Sequence, residues 1–98
     1  MVREVIWTKR ANRKFNNIIE FLESEWGETV ARNFVKRTYD IIDLISVNAE
    51  MGSMENKEKD IRGFLLTKHN RVFYRITEKG IVLLNFFDTR SGPKRTRI

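Results

Sequence analysis

A single glycine, Gly27, stands between two apolar stripes of helical period, and this arrangement leaves few folds open to the chain. From Thr8 onward, Ala11, Phe15, Ile18 and Leu22 recur at spacings of four, three and four, and Ile19 and Trp26 widen the stripe. That is the pattern of an amphipathic helix. Thr8 suits its N-cap, and Gly27 suits the position just past its end. From Glu28 to Val47, residues Ala31, Phe34, Val35, Thr38, Ile41, Ile42 and Ile45 fall on a second stripe, with Arg32, Lys36, Asp40 and Asp43 largely off it. Two helices joined by so short a break form an αα-hairpin. Both stripes then need a common cover.

The cover is written in period two. Ile61–Lys68 and Arg71–Thr77 read as strands around a turn at 68–70. Glu78-Lys79-Gly80 is a second turn, and IVLLNFF, Ile81–Phe87, is the most apolar strand and the expected centre of the sheet. These three make an antiparallel meander. Val2–Trp7 is a further β-prone segment. Residues 48–60, NAEMGSMENKEKD, are polar without a period and read as a loop, solvated and flexible over 55–60. The tail, Asp88–Ile98, is expected to leave the sheet for an edge or solvent. The expectation is one α+β domain over 1–98, β-α-α-β-β-β, with a helical hairpin packed on one face of a twisted, mainly antiparallel sheet.

Charge is uneven along the chain. Residues 1–50 hold eight Lys/Arg and eight Asp/Glu, whereas 61–98 hold nine Lys/Arg against Glu78 and Asp88, a net of +7, and the −1 of residues 51–60 brings the whole chain to +6. An anionic partner, nucleic acid or an acidic protein segment, suits that asymmetry. The chain has no cysteine, and it carries no carboxylate cluster and no phosphate-binding glycine loop, so neither metal nor cofactor is expected. The start, MVREVIWTKR, does not read as a signal peptide, and no apolar run is long enough for a membrane span. A soluble, cytoplasmic protein is the expectation.

Helices on one face leave the other face of the sheet open. Strand alternation sends Val72, Tyr74 and Ile76 toward the helices and Arg71, Phe73 and Arg75 to the open side. In the preceding strand Arg62, Phe64, Leu66 and Lys68 share a face. Register is not encoded in such a pattern. If the two faces coincide, Arg62, Lys68, Arg71 and Arg75 form one basic surface, with Phe64 and Phe73 available to stack a base. Trp7, Trp26 and the other phenylalanines are expected in the core.

The order of these segments resembles the RelE/ParE toxins of bacterial type II toxin–antitoxin systems. The likeness runs from VIWTKRANRKFNNIIEFLESEWG through ARNFVKRTYDIIDLI and Gly52 to IRGFLLTKHNRVFYRITEKGIVLLNFFDTR. It implies a RelE/ParE-like fold and a cognate antitoxin that wraps the toxin with an acidic segment. It also implies one of two targets. RelE-like members cut mRNA on the ribosome, and ParE-like members inhibit DNA gyrase and cut nothing.

RNA cleavage without a metal is attack by a ribose 2′-OH on the adjacent phosphate, which needs a base, a cation and an acid. By resemblance Arg71 matches the arginine of the family's R-x-x-Y strand and Arg90 the arginine after its last strand. Arg62 matches a basic residue at the start of its second sheet strand. These three are the candidate catalytic residues, and arginine suits phosphate as a permanent bidentate cation. Lys68, Phe73, Arg75, Lys94 and Arg95 are candidates for binding RNA or a partner. The pattern also departs from the nucleases: Phe64 stands where they carry a second lysine, and Thr96 where they carry a tyrosine. His69, the single histidine, sits in a turn; Lys68 and Lys94 serve as acid or base only with a lowered pKa. The clustering of basic residues favours a ribosome-dependent mRNA endonuclease. The alternatives are a ParE-like inhibitor of gyrase acting through protein contacts, and an inactive member that binds only its antitoxin.

Overall fold

A computed structural model describes residues 2–89. Strand β1 (Glu4–Trp7) leads into helix α1 (Lys9–Trp26), helix α2 (Glu28–Val47) and a 3-10 turn at Ala49–Met51. Four strands follow: β2 (Ser53–Asn56), β3 (Ile61–Thr67), β4 (Asn70–Ile76) and β5 (Gly80–Asp88). The sheet order is β1-β5-β4-β3-β2. β1 runs parallel to β5 and every other pairing is antiparallel, so the sheet is mixed and both helices pack on one face of it.

The helical hairpin forms where the stripes place it. Thr8 caps α1 by accepting from the Ala11 amide (3.1 Å), and its hydroxyl donates to the Leu83 carbonyl (2.8 Å), which ties the helix start to β5. Gly27, at φ +96°, does two jobs that a side chain would strain. Its N–H donates to the Glu23 carbonyl at the end of α1 (3.0 Å), and its own carbonyl accepts from Ala31 at the start of α2 (3.3 Å).

The core lies between the hairpin and the sheet. Phe15, Ile18, Leu22, Phe34, Ile41 and Ile45 meet Leu66, Val72, Tyr74, Ile81, Leu83 and Phe86, all buried. Trp7 stacks on Phe86 with ring centroids 5.5 Å apart, and Phe15 lies 5.1 Å from the same ring. Trp26 departs from the expected core placement: at the end of α1 it is half exposed and meets the Phe21 ring edge-on.

Two expectations about the sheet need correction. The segment 48–60 is not all loop, because Ser53–Asn56 adds a fifth strand at the β3 edge. SMEN has no apolar alternation and all four residues are exposed, so no periodic signal marks it. The middle strand is β4; β5 lies one place over, between β4 and β1.

Buried Tyr74 fastens this added strand. Its hydroxyl donates to the Ala49 carbonyl (2.7 Å) and accepts from the Gly52 amide (2.9 Å). Tyr74→Phe leaves both backbone groups unpaired, and a loss of about 1–3 kcal/mol is expected in urea unfolding. Burial pushes the phenol above its ordinary value, opposed by the Gly52 hydrogen bond and the Arg62 charge. The unfolded chain therefore loses this proton first as pH rises past about 10. The contribution of Tyr74 is complete below that pH and declines above it, so the stability gap between wild type and Tyr74→Phe should narrow in alkaline melts.

Candidate functional site

The register places the arginines. Arg62 lies opposite Tyr74, Phe64 opposite Val72, Gly63 opposite Phe73 and Leu65 opposite Arg71. Directly opposed residues share a face. Arg62 and Phe64 therefore lie on the helix side, with the buried Val72 and Tyr74, and the expected coincidence of basic faces does not occur. Phe64 packs against the core rather than standing open for a base. Arg71, Phe73 and Arg75 do occupy the open face, opposite Phe87, Asn85 and Val82 of β5.

Each of these three arginines holds the chain's own 50–59 segment. On the helix side, Arg62 Nη1 donates to the carbonyls of Gly52 (3.0 Å) and Glu50 (3.4 Å). On the open side, Arg71 Nη2 pairs with Glu55 Oε2 at 2.7 Å, and Arg75 Nε donates to the Lys59 carbonyl (3.0 Å). Glu55 reaches Arg71 by crossing β3 at Gly63, where a Cβ would fall 2.9 Å from Glu55 Cγ and 3.2 Å from the Phe73 ring. The segment read as free and solvated is thus held from both faces. The Arg71–Glu55 pair is about one-third exposed on each side. Pairs of this kind contribute at most about 1 kcal/mol, so an incoming anion can replace Glu55 at little cost. Arg71 also lies 6.0 Å from the centroid of the Phe73 ring.

The remaining candidates are scattered. Lys68 and His69 form the β3–β4 turn on the helix side, and His69 Nδ1 is 3.4 Å from the Thr89 hydroxyl. Beside that turn Thr67 donates to Asn70 Oδ1 (2.5 Å), and Asn70 donates to Asp88, both buried. Arg90, Lys94, Arg95 and Thr96 fall outside the described residues. Among the described residues no three metal-ligating side chains cluster, and no helix is long and apolar enough to cross a membrane. Two contributors escaped the sequence reading. Glu55 sits in a segment without period. Arg37 lies three residues after Phe34, at the flank of the apolar stripe, and its Nε donates to the Leu66 carbonyl (2.8 Å).

A helical hairpin on one face of a mixed sheet, with an arginine-bearing open face, is the architecture expected of the RelE/ParE toxins. The solved structure titled as the chromosomal ParDE TA system from P. aeruginosa is similar, at TM-score 0.75 and 15% identity over 91% of this chain and 98% of that one. The model of the family described as ParE toxin of type II toxin-antitoxin system, parDE, matches residues 5–92, and the chain belongs to that family. No curated protein matches it.

Proposed function

We propose that this toxin acts as a ParE-like inhibitor of DNA gyrase through protein contacts, and not as a ribonuclease. The observation that carries this reading is that, among the described residues, Arg62 does not converge with Arg71 and Arg75. Arg62 lies on the helix face and Arg71 and Arg75 on the other, and all three are engaged with residues 50–59. Phosphoryl transfer needs an acid, a base and a cation within hydrogen-bond reach of one another. Tyr74 is buried with its hydroxyl committed to backbone, and His69 sits in the β3–β4 turn, so neither supports that role beside Arg71. An open face carrying Arg71, Phe73 and Arg75 suits an acidic protein surface, where arginine and aromatic side chains are favoured contacts. Arg90, Lys94 and Arg95 extend the proposed contact set along the tail. The family supports the same direction, since its description and that of the similar structure both name ParE systems.

Two assays on one purified sample test the proposal. Gyrase supercoiling should be blocked, and primer extension in a translating extract should show intact message. Arg71→Glu should weaken the block by about tenfold or more, the effect of losing about 1.4 kcal/mol at a charged contact. Discrete cuts in ribosome-bound message with supercoiling unaffected would overturn the proposal in favour of the nuclease.

A further inference from the structure

Arg71 and Arg75, the proposed contact residues, are engaged in the free toxin by a piece of the toxin itself. Residues 53–60 run along the β3 edge of the sheet, and all eight are exposed. No apolar side chain of this strap enters the core. It is held by pairing with β3, by Glu55 on Arg71 and by the Lys59 carbonyl on Arg75. A segment with so little buried apolar surface belongs to the low-stability end of a fold and opens without the rest. Its entry is firm, because the Tyr74 hydroxyl holds the buried Gly52 amide (2.9 Å).

The Glu55 carboxylate is positioned rather than merely near. Oε2 accepts from Arg71 Nη2 (2.7 Å) and from the Ser53 hydroxyl (2.8 Å). The side chain crosses β3 over Gly63, where a Cβ would stand 2.9 Å from Glu55 Cγ and 3.1 Å from Oε2. A methyl group at residue 63 therefore displaces the carboxylate from Arg71. The ion pairs Arg32–Glu28 and Lys36–Asp40 each join neighbouring turns of α2 and are more than half exposed. The Arg71–Glu55 pair instead ties β4 to a strand two places away.

We propose that Glu55 is an internal competitor for the target: it fills the place at Arg71 that a carboxylate of the partner takes on binding, and the strap carries it away as the partner seats. The inference rests on the open face being the contact surface for an acidic protein, and it adds the regulation of that surface. The apparent affinity of a site that is open for part of the time is its intrinsic affinity reduced by that fraction. Glu55 sets the fraction at Arg71. A small anion exchanges one ion pair for another and gains little. A partner that brings a carboxylate together with apolar contacts to Phe73 and the exposed Leu65, which lies opposite Arg71 on the same face, gains the difference. The latch thus favours such a partner over scattered anions.

The probe is a hexaglutamate peptide, titrated against the Arg71 Nε–Hε signal in heteronuclear NMR spectra of the full chain, beside the block of gyrase supercoiling. Glu55→Gln keeps the shape of the side chain and removes its charge. Gly63→Ala changes no charge and displaces Glu55 sterically. Glu23→Gln, at an exposed position on α1, repeats the charge change on the helix layer. Circular dichroism and thermal melts establish that each variant is folded. Ser53→Ala, which removes the second donor to Glu55, replaces Gly63→Ala should that variant not fold. Glu55→Gln and the charge-neutral variant should each lower the Kd of the probe, and the toxin concentration that half-blocks supercoiling, by about two- to fivefold, the range spanned by a partly exposed ion pair. Glu23→Gln should change both by less than about twofold, because a charge on the far layer is screened. The proposal is overturned if the Kd of the probe falls by less than about twofold in either latch variant, if Glu23→Gln lowers it as much, or if the probe fails to bind the latch variants at all. A fall for Glu55→Gln alone would reduce that residue to one charge in the general field of the protein. Supercoiling untouched by every form, with the Kd of the probe shifted as expected, overturns the gyrase reading and not the latch.

Discussion

Phe86→Ala should lower the free energy of unfolding by about 3–5 kcal/mol. Phe86 is fully buried on β5, stacked on Trp7, tilted against Phe15 and opposed by Val72. Truncation removes the ring that joins β1, α1 and β4, and the surrounding side chains belong to different elements that cannot all close on the space. A domain of this size has a total stability of about 5–15 kcal/mol, so about a fifth or more of it is lost. A urea melt should show a lowered midpoint with an unchanged slope. A midpoint within about 0.3 M of wild type would mean that the core repacks around the gap, and the aromatic cluster would not be the structural centre described above.

Gly80→Ala should cost nearly as much, about 3 kcal/mol, through strain rather than a cavity. Gly80 opens β5 at φ +156°, directly beside Glu4 of the parallel strand β1. A Cβ there would run into the Glu4 carbonyl oxygen, which is backbone and has no rotamer to escape into. The substitution must push β1 from β5 or distort the turn that Thr77 and Gly80 close with paired backbone hydrogen bonds of 2.7 and 3.2 Å. Amide exchange should separate these effects: protection should fall first over residues 4–7, and remain in β3 and β4. Uniform protection at wild-type levels would contradict the predicted clash.

The helices were legible in the sequence, down to the threonine that starts α1 and the glycine that divides it from α2. Their stripes are long and periodic, and their punctuation is chemical. The three long strands, and the alternation within β3 and β4, were legible for the same reason. What the sequence left open was how strands sit against one another. Parity within β3 put Arg62 with Phe64, and parity within β4 put Arg71 with Phe73, yet only the pairing of Arg62 with Tyr74 decides which sets share a face. Shifts in register at Leu65–Thr67 and at Phe73–Tyr74 further separate pattern from position. β2 was invisible because an exposed edge strand needs no apolar alternation; Arg62, Arg71, Arg75 and Tyr74 fix it from outside. Charge counting located the basic region by sequence but could not foresee that Arg62, Arg71 and Arg75 already have partners, or that Arg37, from the electrically balanced half of the chain, lines the same cavity as Lys68.

The pairing of β1 with β5 joins the first strand of the sheet to the fifth, with Thr8 bonded to Leu83 across a separation of 75 residues. A ribosome adding about 5–20 residues per second needs roughly 4–15 s to make the intervening chain. During that interval the emerging polypeptide has an N-terminal strand with no neighbour to receive it and two amphipathic helices with little sheet to lie on. Synthesis that stops short of β5 therefore yields no toxin fold. β5 acts as the clasp, and the fold stays open until that strand has cleared the exit tunnel.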